Sequence, residues 1–501
     1  MSVHDLSLYD VLVRNARCFA ERTAVVTESG HSRSYHELLE RVDRLAAGLA
    51  AGGLGKGDRV VVLAQNCAAF YELYFACARQ GVVPYPLNWR LSADEIARSL
   101  ERADARAIVC DEQYLSVLPH DLSAFALKAQ FDGVPQGNWC SVESLYAHGP
   151  AAARPDVGFD DGFAIISTAA VDVIPRGAVL THGNILMSNM QTIAAMGLDE
   201  RDGNLVALPL FHVAALGSAL SVMHAGGQIV IMPSYDPGKA VQLIDEHGLT
   251  FISDFPPVLT TLLDEAEAQS SRLPSLRVVN GIDAPDTIER LHKVTDADFF
   301  AGFGQTETSG WITIQRARDL MGAAGKPGPL CEVRLVDDYD QEVPVGSPGE
   351  IVARGPLIFQ GYFGQPEVTE HTFRGGWHHT GDVGRFDETG TLYYVKRKPE
   401  KELIKPGGEN VYPAEVETVI MDMDGVRGVC VFGVPDAKWG EAIKAVVETD
   451  ASLTAEQVRD FVGSRIARFK RPQHVLFSSD LPRDDTGSVD REAVKERWAE
   501  A

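Results

Sequence analysis

Residues 396–401 read Lys-Arg-Lys-Pro-Glu-Lys, six positions of which only Pro399 is uncharged. Charges that dense cannot be buried without a partner for each, so the run cannot belong to a core and is read as a linker. It divides the 501 residues into an N-terminal unit, 1–397, and a C-terminal unit, 398–501. Both are long enough to enclose a core of their own. Hydrophobic residues make up 45% of the chain and charged residues 23%, so the low apolar content of disorder is absent.

Within the first unit, helix and strand signals alternate. Ser34 and Glu37 form a capping box that opens a helical pattern to about Ala51, and Gly57-Asp58 then turns into the apolar run 59–63. Ser92 and Glu95 form a second capping box, followed by the strand-like run 107–110. Such alternation predicts a layered α/β core. From about 328 to 396, short runs at 332–336, 350–352 and 391–395 are separated by Gly, Pro and Asp turns, which predicts a small β-barrel or meander. Beyond the linker, helices at 415–421 and 454–466 and strands at 429–434 and 475–477 predict a compact α+β domain.

Forty-six Lys and Arg against 70 Asp and Glu give a formal charge of -24, which repels polyanions and leaves no basic footprint for nucleic acid. The seven cysteines are scattered, with no C-x-x-C pair, as suits free thiols in a reducing cytoplasm. The first nine residues lack the basic start and apolar core of a signal peptide. The apolar stretch 206–227 is interrupted by Pro209, His212 and His224, and reads as a buried strand, loop and helix rather than a membrane span. Nothing in the sequence fixes an oligomeric state.

Four phrases narrow the reading: Pro209-Leu210-Phe211-His212-Val213, Phe303-Gly304-Gln305-Thr306-Glu307, Gly376-Trp377-His378-His379-Thr380-Gly381-Asp382 and Gly407-Gly408-Glu409-Asn410-Val411-Tyr412-Pro413-Ala414-Glu415. In order and spacing they resemble the core motifs of the acyl-CoA ligase, adenylation-domain and luciferase superfamily of adenylate-forming enzymes. The resemblance implies a large α/β N-terminal domain, made of two α/β subdomains and a small β-barrel, carrying a small α+β C-terminal domain on a hinge. That small domain rotates to present one face for adenylation and another for thioester formation.

By the same resemblance, Phe303 stacks on adenine, Gly304 and Gln305 line the nucleotide, Thr306 bonds the α-phosphate and Glu307 holds magnesium. Asp382 accepts both ribose hydroxyls, Arg397 reaches the ribose, and Asp283-Ala284-Pro285 lines adenine, although the family more often has Gly at the first of these three. Lys401 is the hinge, in a segment two residues longer than is usual. Gly407 and Gly408 let backbone approach the pantetheine arm of coenzyme A, and Trp439 packs on that arm or serves as core. Lys470, with Arg468 and Arg471, meets the CoA phosphates or forms a solvated face. His212, Ala214, Gly217, Ala301 and Gly302 border the acyl pocket; the small residues suit either a large acyl group or tight packing.

Two places depart from the family. Its phosphate loop reads approximately Thr-Ser-Gly-Thr-Thr-Gly-x-Pro-Lys-Gly, whereas here Thr168-Ala169-Ala170-Val171-Asp172-Val173-Ile174-Pro175-Arg176-Gly177 keeps only the ends. A triphosphate cradle needs glycines for close approach and donors facing anionic oxygens. Asp172 instead sets a like charge there, which at about 4 Å repels by roughly 1–4 kcal/mol. Near the C-terminus, Ser488 stands where the family has the lysine that bridges carboxylate and α-phosphate during adenylation.

Both departures strike adenylation and spare the AMP and pantetheine features. The expectation is an enzyme that takes a preformed acyl-adenylate, transfers its acyl group to coenzyme A and releases AMP, with magnesium dispensable and a separate ligase supplying the adenylate. The combination resembles the non-adenylating acyl-CoA ligases of platensimycin and platencin biosynthesis, which would imply a bulky diterpenoid acid. The alternatives are a complete ATP-dependent carboxylic acid–CoA ligase, with Arg176 and another basic residue compensating, and a non-catalytic acyl- or adenylate-binding protein.

Overall fold

The computed structural model describes residues 5–149, 153–168, 176–398, 403–484 and 488–500. The expected alternation is present. Helix Tyr35–Ala51 starts at the Ser34–Glu37 capping box, helix Ala93–Ala103 starts at the Ser92–Glu95 box, and strands Arg59–Leu63 and Ala107–Cys110 follow them.

Two sheets make the large layered core. One is parallel, in the order Val83–Pro86, Arg59–Leu63, Ala107–Cys110, Leu127–Gln130, Cys140–Ser141. The other has nine strands. Its centre, Asp298–Gln305, Val278–Gly281, Phe251–Asp254, Gly203–Val206, Gln228–Ile231 and Thr23–Val26, is parallel, and antiparallel strands flank it. Strands such as Phe251–Asp254 are buried along their whole length, as a parallel sheet covered on both faces demands. In open α/β sheets the ligand crevice lies beyond the carboxyl ends of such strands. Here those ends lead into His212, Phe255, Asp283 and Thr306.

The apolar stretch 206–227 folds as expected, with helix Val213–Ala225 after strand Gly203–Val206. Among the described residues no helix is long and apolar enough to cross a membrane. All seven cysteines are free.

Strands Glu332–Val336, Pro348–Arg354, His378–Phe386 and Leu392–Arg397 form an antiparallel meander. Its first and last strands do not pair with each other among the described residues, so it is an open sheet rather than a closed barrel. The small domain has a three-stranded sheet, Val426–Asp436, Gly440–Thr449 and His474–Ser478, with helices Pro413–Met421, Ala455–Gly463 and Arg491–Trp498. The central strand Gly440–Thr449 is not evident from sequence, because Lys444 and Glu448 interrupt its apolar run. Both are buried, and the Lys444 ammonium donates to the carbonyls of Trp498 and Ala499 at 3.0 Å each.

Candidate active site

The nucleotide motifs converge where strand Asp298–Gln305 meets the meander. Gly304 is required there, since a Cβ would stand 2.1 Å from the carbonyl oxygen of Gly310 in the hairpin partner. The Phe303 and Tyr394 rings stack at 6.3 Å and 24°. Asp382 is buried with 1% exposure; its Oδ2 accepts from the Gln305 amide, and its Oδ1 lies 3.2 Å from the Tyr394 hydroxyl and 3.3 Å from Arg397 Nε. Phe303, Gln305, Asp382 and Arg397 are thus brought together as the motifs imply, and Tyr394, which no motif named, joins them.

Glu307 is buried and its Oε1 accepts from Thr168 Oγ1 at 2.7 Å and the Tyr362 hydroxyl at 2.8 Å. Among the described residues no group of three or more His, Cys, Asp or Glu side chains gathers as a metal site. Glu307 therefore offers one carboxylate with one oxygen already engaged. Magnesium is ordinarily held by one or two carboxylates together with substrate phosphates, so Glu307 could hold the ion only with the phosphate present.

Thr168 and Arg176 face each other as the last register pair of hairpin strands Gly162–Thr168 and Arg176–Thr181. Arg176 lies over the Tyr362 ring at 5.4 Å. Gly177 sits where a Cβ would meet Ile165 at 2.6 Å. Ala169, Ala170, Val171, Asp172 and Val173 fall outside the described residues, as does the hinge candidate Lys401.

Asp283 begins the turn into helix Pro285–Val294, for which Ala284 is the N-cap. Burial raises its carboxyl, and buried Asp254 beside it is raised further by burial and by Asp283. His212 caps helix Val213–Ala225 by accepting from Ala214 N at 3.2 Å; burial, then the Lys405 charge, lowers its imidazole to about 4. It is therefore neutral at neutral pH.

The small residues divide between packing and space. Beyond Gly217 a Cβ would meet nothing within 4 Å, whereas at Gly302 it would meet Thr313 O at 2.2 Å and Trp311 at 2.8 Å. Gly217, with Ala214 on the same helix, borders open space, while Gly302 is small because the hairpin is close-packed. Ala301, in the same strand, is half-buried and pairs with Gln315.

The small domain presses its glycine loop onto this crevice. Gly407 (φ +58°) and Gly408 (φ +82°) adopt left-handed backbone that side chains disfavour. Added Cβ atoms would stand 2.9 Å from Trp439 and 3.2 Å from Phe255. Trp439, 40% exposed, covers Gly407 at the loop's edge. Ser488 lies elsewhere in the small domain, beside the Arg483–Val489 bridge, with its amide donating to Asp484 at 3.1 Å.

The placement of Lys470 corrects the sequence expectation. Its exposure is 3%, and its ammonium pairs with Glu95 of the large domain and, at 2.7 Å, with Glu415 of the small one. It cannot meet CoA phosphates from there; Arg468 is exposed and Arg471 pairs with Asp460 at 2.9 Å. Burial raises both carboxyls; Lys470 and the Ser92 cap bonds outweigh it at Glu95, whose carboxyl is lowered, while Glu415 stays raised. Beside this triad, Glu409 accepts from Asn88 at 2.8 Å and Arg90 at 2.9 Å. Together they hold the glycine loop on the crevice. Lys470→Met leaves two carboxylates facing each other, and breaking such a buried cluster costs about 3–5 kcal/mol. Thioester formation is expected to fall at least tenfold with adenosine affinity, which involves only the large domain, unchanged. Equal loss of both would place Lys470 in the nucleotide site instead.

Fold and site together define an acyl-CoA ligase-type architecture. The chain belongs to the AMP-binding enzyme family: the AMP-binding enzyme family matches residues 12–363 and the AMP-binding enzyme C-terminal domain matches 415–488. A feruloyl-CoA synthase of an Amycolatopsis species is 34% identical, with 97% of this chain and 98% of that one aligned. A long-chain-fatty-acid–CoA ligase of Mycobacterium tuberculosis is 31% identical over 93% of each chain. Among solved structures, a double mutant of the o-succinylbenzoate CoA synthetase of Bacillus subtilis bound to its product analogue gives a TM-score of 0.85 at 27% identity, covering 98% of this chain and 99% of that one. That synthetase with its acyl-adenylate intermediate gives 0.70, at 27% identity over 98% of each chain. The overall arrangement here lies nearer the product-analogue complex. None of these names carries a diterpenoid acid or a non-adenylating reaction, so the expected antibiotic pathway finds no support in them.

Proposed function

We propose that the protein catalyses the thioester-forming half of the acyl-CoA ligase reaction and is deficient in adenylation. The observation that carries this reading is Ser488 in the place of the adenylating lysine, reinforced by an Asp172-bearing loop without glycine before Gly177. One preorganised charge donor contributes on the order of 10²- to 10³-fold in rate, and a serine hydroxyl supplies no cation. The arrangement suits the remaining half-reaction, because the Gly407–Gly408 face, not the Ser488 hairpin, meets the crevice.

In this reading adenine lies by Phe303 and Tyr394, Asp382 takes the ribose hydroxyls, and Thr306 takes the phosphate. The thiol enters past Trp439, Gly407 and Gly408, and the acyl group extends toward Gly217. Sulfur bonds to the acyl carbon, the bond from that carbon to the phosphate oxygen breaks, AMP leaves with the electron pair, and the thiol proton passes to solvent. A separate ligase supplies the adenylate, and the cytoplasm, where coenzyme A is available, is the proposed location.

A second reading, a complete ATP-dependent ligase, is favoured by the relatives named for whole CoA-ligase activities. Exchange of labelled pyrophosphate into ATP separates the two, with ferulic, indoleacetic and long-chain fatty acids as probes. No exchange is expected with any of them. Exchange with one would establish the complete ligase.

A further inference from the structure

Two carboxyls meet at the carboxyl end of the large sheet. Asp254 ends strand Phe251–Asp254, and Asp283 lies just beyond its parallel neighbour Val278–Gly281, in which Gly281 is level with Asp254. The backbones are pressed together there, since a Cβ on Gly281 would stand 2.0 Å from the Asp254 carbonyl oxygen. On its other side the second strand pairs Asn280 with Phe300. The turn Ile282-Asp283-Ala284 therefore leaves the sheet alongside Gly302 and Phe303.

In each carboxyl one oxygen is used locally and the other is left over. Asp254 Oδ1 accepts from the Leu259 amide at 2.9 Å, at the start of helix Val258–Ala268. Asp283 Oδ1 accepts from the Ala284 amide at 2.6 Å, at the start of helix Pro285–Val294. Asp254 Oδ2 and Asp283 Oδ2 are both buried and accept from no donor among the described residues, and Asp254 itself is 1% exposed. The two carboxyls lie within hydrogen-bonding reach of each other. Were both ionised, two buried charges would face each other as acceptors alone. One proton between them turns the contact into a charge-assisted O–H···O⁻ bond. The other groups around the pair are the two helix-start amides, the Thr287 hydroxyl and Tyr235, whose own hydroxyl donates to the Val258 carbonyl at 2.8 Å. No Lys, Arg or His acts on either carboxyl among the described residues. Burial, then Asp283, raises the Asp254 carboxyl well above the usual carboxylate range, so Asp254 keeps the proton.

We propose that Asp254 and Asp283 act as one carboxylic acid–carboxylate pair, with Asp254 the donor, that fixes the turn Ile282-Asp283-Ala284 against the adenine ring. Both are positioning residues. The glycine more usual at position 283 has no carboxyl to share. The proposal rests on the placement of adenine by Phe303 in the proposed function, and it is independent of whether the chain adenylates. A carboxyl raised on folding holds its proton more tightly in the native turn, so its contribution is complete at low pH and is lost as pH rises through its titration.

Infrared spectroscopy of the full chain reads the proton, as the C=O stretch of a carboxylic acid, and calorimetry with adenosine reads the turn. The native-minus-Asp254→Asn difference spectrum is expected to show that band at neutral pH. The asparagine oxygen still accepts from Leu259 and its N–H still donates to Asp283, so adenosine affinity should stay within about threefold of the native protein. Asp254→Val removes the donor and should weaken adenosine about tenfold or more. As pH rises, native affinity should fall where the acid band is lost, while that of Asp254→Asn stays flat. Absence of the band at neutral pH overturns the proposal, as does loss of the band without loss of affinity. So does an Asp254→Asn affinity as low as that of Asp254→Val, or a native affinity in Asp254→Val. The band and its pH dependence need only the native protein and the asparagine variant, and so decide the matter even if Asp254→Val does not fold. A native protein that binds no adenosine would remove the placement of adenine and the role of the pair with it. Pyrophosphate exchange, which decides the half-reaction reading, leaves the infrared and adenosine results standing.

Discussion

Asp382→Ala is expected to abolish productive adenylate binding, lowering affinity for AMP and adenosine alike by at least 10²-fold and thioester formation with them. The carboxylate is 1% exposed and is the shared acceptor of the Gln305 amide, the Tyr394 hydroxyl and Arg397 Nε. A carboxylate has about four acceptor positions. In the proposed complex the ribose hydroxyls take the open position and replace the long contacts at 3.2 and 3.3 Å. Alanine removes the ribose acceptor and leaves the Arg397 guanidinium without its partner, a loss of about 3–5 kcal/mol when such a pair is buried. Because Arg397 keeps some solvent access, with 22% of its side chain exposed, the lower part of that range applies to stability. Calorimetry with adenosine reads the binding and thermal unfolding reads the stability. Native affinity for adenosine in the variant would remove Asp382 from the nucleotide site.

The second large effect is a gain. Converting Ala170 and Val173 to glycine and Val171 and Asp172 to threonine should restore a phosphate cradle, and adding Ser488→Lys should then raise pyrophosphate release from ATP more than additively. Groups that act as a unit show such coupling. Ser488→Lys alone should do little if, as proposed, the triphosphate it would act on is not held. The rise over the loop variant should be on the order of 10²- to 10³-fold, the contribution of one preorganised charge. An Ser488→Lys effect of the same size with and without the loop changes would mean that the two lesions are independent.

Much of this site can be read from residue order because its chemistry is local. Phe303, Gln305, Thr306 and Glu307 are near neighbours in one turn, and Asp382 follows a Thr-Gly step within one strand. The groups that sequence reasoning misses depend on docking between segments hundreds of residues apart. Glu95 is legible as a capping-box residue, and it is one, but its other oxygen reaches Lys470, 375 positions away. Lys470 in turn resembles a surface cation until that pairing buries it. The choice between the barrel and the meander that the runs 332–336, 350–352 and 391–395 left open has the same cause, since closure is decided by whether two distant edge strands pair.

The central claim is that this chain needs an adenylate and not ATP. Its most direct test supplies synthetic feruloyl-, indoleacetyl- and fatty acyl-adenylates with coenzyme A and no ATP, and follows acyl-CoA and AMP together; parallel reactions contain the free acids, ATP and coenzyme A. The account predicts equal amounts of acyl-CoA and AMP from an adenylate, at a rate well above the uncatalysed reaction, and no acyl-CoA from free acid and ATP. Acyl-CoA from free acid and ATP at an ordinary ligase rate, on the order of 1 s⁻¹ or more, would contradict it.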